Sequence, residues 1–310
     1  MSTATHIPST RDLEGDDALQ TLRSTGWGTL LRDAFARLRA ADGFSHARAL
    51  AFQIALTALP ALIAAVGITT ELDQDDLQAV LKEALLSLAP GPASQTLTQA
   101  FQQGSEAASG AGTAVATGII AALFSATVAM GQLERGVNRI YGAQTDRSPL
   151  HKYGVALLLA CTAGILLLLS FVTFLAGSAI RETTRNNSEW SDTALSLWEV
   201  ARWPLAVAFI VGAMAMLFRY APRRPQPKAS WLLVGSSIAV LLWVLLTALL
   251  ALYLDESREF GTTYGPLAGM IGMLLWSLLS SWSLLFGIAV AAQLEAVRAG
   301  VPTPTTKEDS

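Results

Sequence analysis

The tripeptide Phe218-Arg219-Tyr220 ends a long apolar run and opens a basic stretch that continues through Arg223, Arg224 and Lys228. A guanidinium at such a boundary presents parallel N–H donors that match a phosphate, and the flanking rings suit a water–lipid interface. A second basic stretch, Arg135, Arg139, Arg147 and Lys152, follows another apolar run and contains Asn138 and Tyr141, an amide and a phenol able to complete a headgroup site. Arg219, Arg135, Asn138, Tyr141 and Arg139 are therefore the candidate residues for binding an anionic lipid headgroup. Each cation near an anionic leaflet contributes about 1 kcal/mol of attraction. The same cations also read, more plainly, as a topology signal.

Other chemistries find little footing. His6, His46 and His151 lie in a polar terminus or at the edges of apolar runs, with no carboxylate or cysteine at metal-ligand spacing, so no metal site and no cofactor is expected. A ribonuclease needs clustered carboxylates or a positioned histidine pair, and the pattern offers neither, so no enzyme activity is expected. The single cysteine, Cys161, cannot form an intramolecular disulfide. No Gly-x-x-x-x-Gly-Lys-Ser/Thr loop is present, and a net charge of -3 gives no basic field for nucleic acid. The polar groups inside the apolar runs are hydroxyls and amides, chiefly Gln53, Thr57, Ser125, Thr127, Ser170, Thr173, Thr247, Ser277, Ser280, Ser281 and Ser283. They suit hydrogen bonds between helices, or a polar path for a headgroup.

The elements that must position these residues are set by a bilayer. The chain is 52% hydrophobic and only 15% charged, with its charges gathered in short bursts between long apolar runs. A helix needs about 20 mostly apolar residues to cross a hydrocarbon core. Six stretches qualify, approximately 48–68, 112–132, 153–180, 203–218, 231–254 and 264–294. The fourth is short unless it starts near Val200 with Arg202 snorkelling, and the sixth is long enough to tilt or break. The expected fold is an all-α polytopic membrane bundle of about six transmembrane helices. Of the 21 Lys and Arg residues, 16 fall in the segments before the first span, after the second, after the fourth and after the sixth. Cytoplasmic loops retain such cations, so both termini are expected in the cytoplasm.

Residues 1–26 are polar, lack the order of a cleavable signal, and are expected to form a disordered cytoplasmic tail, as are 297–310. Residues 27–296 form the transmembrane domain. Within it Trp27, Leu30, Leu31, Ala34, Phe35 and Leu38 recur at three- and four-residue intervals among Arg32, Arg37 and Arg39, which predicts an amphipathic helix at the cytoplasmic interface or a surface helix packed on the bundle. The extracytoplasmic segment of about 69–110 shows helical periodicity on both sides of Pro90-Gly91-Pro92, which predicts two short helices. Gly261, Gly265 and Gly269 would share one helix face, and Gly265-Pro266 suits a hinge at the outer end of the last helix, with Pro60 as a second proline inside a span.

Four stretches together resemble the YihY/BrkB family of bacterial inner-membrane proteins, over roughly residues 29–296. They are Ala49-Leu50-Ala51-Phe52 through Pro60; Asn138-Arg139-Ile140-Tyr141-Gly142; Phe218-Arg219-Tyr220-Ala221-Pro222 followed by Gly235 and Trp243; and Thr263-Tyr264-Gly265 with Trp276 and Gly287. One departure stands out: where many members of that family place a carboxylate and an Asn near the end of the last helix, this chain has Ala289 and Ala291. Some members were once labelled as a ribonuclease. The resemblance implies a multi-pass protein of the bacterial plasma membrane. The residues add a transporter-like role, moving or positioning an anionic amphiphile such as a phospholipid or glycolipid; the alternative is a non-transporting scaffold. Membrane lipids are the expected partners, with envelope proteins or further copies of the chain as others, and no nucleic acid.

Overall fold

A computed structural model describes residues 3–71, 98, 102, 112–186, 192–256 and 267–305. Two short helices, α1 (Gly15–Thr25) and α2 (Trp27–Ala40), precede six long ones. These are α3 (Gly43–Glu71), α4 (Gly112–Ile140), α5 (Pro149–Asn186), α6 (Asp192–Tyr220), α7 (Ala229–Glu256) and α8 (Ala268–Arg298). Apart from one antiparallel bridge between Ala4 and Thr305, the described residues form helices, turns and coil. The chain is an all-α bundle, and α4 to α8 are each long and apolar enough to cross a membrane. The remaining long helix, α3, has 29 residues and contains the expected first span. The first five long helices outrun their predicted spans because polar and small residues at their ends continue the helix beyond the apolar stretch, and α8 runs four residues past the expected 294.

Sequence neighbours pack side by side from α3 through to α8, and α8 returns against α3 to close a ring. Half of the most apolar stretch of α8 is buried, against 22–28% for α4 to α7. The outward faces of α4 to α7 expose Phe124, Leu158, Ile165, Val207, Leu241 and Leu252, the apolar surface that a bilayer covers. Gly235 of α7 meets Gly287 of α8 so closely that a Cβ on Gly235 would lie 2.5 Å from the Gly287 carbonyl oxygen. Small residues at such a crossing let two backbones approach, which is how helices associate without a hydrophobic difference between lipid and protein. Trp243 and Trp276 meet edge to face on the same pair, at 6.4 Å between centroids, and the Trp243 indole donates to Ser280 Oγ at 3.0 Å.

Four of the intramembrane hydroxyls turn back on their own helices. Thr57 donates to Gln53 O, Thr127 to Leu123 O, Ser281 to Ser277 O and Ser283 to Leu279 O. Ser170 differs, donating from α5 to Ala206 O of α6 at 2.9 Å.

The N-terminal segment departs from the disordered tail expected over residues 1–26. Thr3 and Ile7 donate their backbone N–H groups to Ala40 O and Tyr141 O, Thr5 donates to Pro304 O, and Ile7 is fully buried. The acidic residues that suggest a solvated tail are spent elsewhere. Glu14 and Asp17 form a capping box on α1, Glu14 also pairs with Lys228, and Asp17 pairs with Arg298. The other terminus is likewise ordered through Thr305, where Gly300 adopts φ 76° and Val301 donates to Ala296 O, a Schellman ending for α8. The described ends of the chain, near Thr3 and Thr305, therefore lie at one end of the bundle.

The helix α2 forms as the periodicity predicts, with Leu30, Ala34 and Leu38 buried against the bundle and Trp27, Leu31 and Phe35 exposed. Arg37, expected on its polar side, is instead fully buried. Pro60 lies within α3, and the helix continues through it to Glu71. Gly269 is buried in the first turn of α8. Gly261, Gly265, Pro266 and the two helices predicted within 69–110 lie outside the described residues, apart from 69–71 at the end of α3 and positions 98 and 102.

Candidate functional site

The two basic stretches meet at the end of the bundle that holds the termini. The link starts where α4 stops. Gly142, at φ 75°, takes the left-handed conformation that lets Gly142 donate to Arg139 O and Ala143 to Asn138 O. A Cβ there would sit 2.6 Å from the His6 backbone, so the close passage of the N-terminal segment also requires glycine. The chain then turns back on itself. Asn138, nearly fully buried, donates from Nδ2 to Asp146 at 3.2 Å and accepts the Arg223 backbone N–H at 2.8 Å. Arg135 and Arg139 both face the Asp146 carboxylate at 3.6 Å, and Arg139 also donates to Ala143 O. Arg223 donates to the Asp146 carbonyl at 2.6 Å.

Arg147 carries the junction. Its guanidinium donates to Tyr220 O, Ala221 O and Pro222 O at 3.2, 2.8 and 2.7 Å, and it pairs with the buried Glu134 at 3.2 Å. Those carbonyls end α6, where the helix dipole is negative and the acceptors would otherwise be open. A cation there both caps the helix and cancels a field that would repel an anion.

Beneath this layer lies a buried polar core. Arg37 donates from Nε to Gln293 Oε1 at 2.7 Å, and from Nη1 to Thr5 O at 2.9 Å and Ile140 O at 3.3 Å. Burial pulls its guanidinium down to about 10, partly offset by Tyr141 and Glu295, so it stays charged at neutral pH. The carboxylate of Glu295, fully buried, accepts from Arg224 Nη2 at 2.6 Å and from the Thr10 hydroxyl. Arg224 also stacks on Tyr141, 4.6 Å from the ring centroid. Burial raises the Tyr141 phenol above its ordinary value, which keeps it neutral.

Above the polar core opens a cavity of about 340 Å³ lined by Arg11, Arg147, Arg219, Tyr220, Pro222, Arg224, Pro225 and Gln226. Four of these are arginines and none is acidic. Arg147 and Arg224 have carboxylate partners; Arg11 and Arg219 have none among the described residues. Arg219 stacks beside Tyr220 at 5.7 Å.

The structure thus joins the two predicted basic stretches but redistributes their residues. Arg219 does face a cationic cavity. Its companions there are Arg11, Arg147 and Arg224, whereas Arg135 and Arg139 are engaged by Asp146, Asn138 ties the two loops together, and Tyr141 supports Arg224 from below. Sequence reasoning missed Arg11, placed in a tail, and Gln226, Gln293 and Glu295. The one available signal was the Pro222-Arg-Arg-Pro225-Gln-Pro227 run, whose prolines fix the backbone that carries these side chains.

Fold and site together define a polytopic helical membrane protein with a built cationic pocket where its termini converge. The chain belongs to the family described as Virulence factor BrkB, whose model matches residues 34–310. It is similar to the Putative ribonuclease-like protein YfkH of Bacillus subtilis strain 168, 24% identical over 86% of this chain and 95% of that protein. It also resembles a UPF0761 membrane protein of Alcanivorax borkumensis, 26% identical over 55% of this chain and 38% of that longer protein. No solved structure matches it.

Proposed function

We propose that this protein is a transporter-like component of the bacterial plasma membrane that moves or positions an anionic amphiphile, and that its basic end faces the cytoplasm. The observation that carries the reading is the cavity in which Arg219 and Arg11 stand, without carboxylate partners among the described residues, at the end of apolar helices. A phosphate-bearing head suits that cavity while its tail lies along the exposed apolar faces of the bundle. The partition of 16 of 21 cations to one side supports the orientation. The ribonuclease-like name of the Bacillus relative suggests a different activity. Here the carboxylates of the site, Glu134, Asp146 and Glu295, are each held by arginines, which leaves none to position a metal ion or a base.

A second reading, a non-transporting scaffold, gains support from Thr57, Thr127, Ser281 and Ser283, intramembrane hydroxyls that donate to their own helices. Reconstitution into liposomes with a fluorescent phospholipid separates the two. Transporter-like action predicts faster exposure of the lipid to an impermeant quencher than in protein-free vesicles, and loss of that gain in Arg219→Gln. Equal rates with and without protein would favour the scaffold.

A further inference from the structure

We propose that the arginine cavity is selective for a phosphate monoester or inorganic phosphate over the phosphodiester of ordinary diacyl phospholipids. The proposal rests on the anion-handling reading above and names the chemistry of its ligand.

Charge is the first argument. The cavity wall carries four guanidinium groups, of which Glu134 offsets Arg147 and Glu295 offsets Arg224. Arg11 and Arg219 remain, a local excess of two positive charges among the described residues. A phosphodiester carries one negative charge and would leave half of that excess uncompensated. A phosphate monoester carries about -1.5 to -2 near neutral pH and matches it. The carbonyl oxygens that end α6, which would oppose a dianion, are covered by Arg147.

Hydrogen bonding is the second, and it is independent of charge. Gln226 lines the cavity, is 8% exposed, and neither its Nε2 nor its Oε1 has a partner. The Nε and Nη1 of the buried Arg224 are also unpartnered. Buried polar groups left unpaired are costly, so such a group of donors with one acceptor marks a place that a ligand completes. The donors ask for several phosphate oxygens. A monoester dianion presents three terminal oxygens to these donors, the Gln226 amide N–H groups among them, where a phosphodiester presents only two. Pro222 and Pro225 hold the backbone between these side chains, so little ordering is needed when the ligand arrives.

The test uses the full chain in neutral detergent, titrated with inorganic phosphate, dihexanoyl phosphatidic acid and dihexanoyl phosphatidylglycerol. The expected result is at least a tenfold preference for phosphatidic acid over phosphatidylglycerol, competition by inorganic phosphate, and affinity that rises as pH increases through about 6, where the monoester takes its second charge. Gln226→Leu should remove most of the preference, and Arg219→Gln should weaken all three anions, with thermal midpoints used to confirm that both variants are folded. Binding of inorganic phosphate with neither lipid bound would support the monoester site and sink the amphiphile reading. Equal affinity for the two lipids, unaltered in Gln226→Leu, would overturn the monoester selectivity while sparing that reading. Binding of none of the three would overturn both.

Discussion

Glu295→Gln separates the structural and electrostatic roles of the buried core. In the wild type the carboxylate is fully enclosed, accepts from Arg224 at 2.6 Å and from Thr10, and acts electrostatically on Arg37. The amide retains shape and one acceptor but removes the negative charge that two buried guanidinium groups share. Removing one partner of a buried pair costs about 3–5 kcal/mol, and the retained acceptor argues for the lower end. At roughly 2 °C or more per kcal/mol for a chain of this size, the unfolding midpoint in detergent should fall by about 6 °C or more. Adding Arg224→Gln to that variant should return part of the loss, because the stranded charge is then gone. The cavity, meanwhile, gains one net positive charge in Glu295→Gln, so inorganic phosphate should bind more tightly even as stability falls. General loosening of the fold cannot produce those opposite signs. An unchanged midpoint, or weaker phosphate binding in a folded variant, would refute the reasoning.

Gly287→Leu should lower the midpoint sharply, because a Cβ there already lies 2.5 Å from Ala239 Cβ and overpacking costs at least about 1–3 kcal/mol; Gly212→Ala, with nothing near its Cβ, should be neutral or slightly stabilising in the same melt. In a Cys161→Ser background, Lys307→Cys should resist an impermeant thiol reagent in intact cells and react after permeabilisation, and labelling in intact cells would reverse the orientation. Purified, metal-supplemented protein should leave RNA intact; cleavage that disappears when one of Glu134, Asp146 or Glu295 is neutralised would show an activity that the site's geometry does not provide.

The spans were legible because a bilayer imposes a single requirement, about 20 apolar residues, that composition alone reveals. The resemblance was informative for an equally physical reason: Asn138, Tyr141, Gly142, Gly235, Trp243, Trp276 and Gly287 all sit where two segments meet closely. What a single chain reading could not show was the partner of each charge. Asp17 and Glu14 look like tail residues until Arg298 and Lys228 arrive from more than 200 positions away. Arg37 reads as the wet side of an amphipathic helix, and only the return of α8, carrying Gln293 and Glu295, makes its burial tolerable. The cavity was half visible for the same reason. Arg219 announced itself by its aromatic neighbours, whereas Arg11 and Gln226 became site residues through long-range packing.

Photo-crosslinking tests the central claim most directly. The protein, in liposomes containing an anionic phospholipid with a photoactivatable group near its head, would be irradiated and the adducts mapped by mass spectrometry. The account predicts adducts concentrated on residues 219–226 and around Arg11, reduced in Arg219→Gln and by excess inorganic phosphate, and missing with a zwitterionic analogue. Adducts spread over the exposed faces of α4 to α7, alike for the anionic and zwitterionic probes, would contradict it.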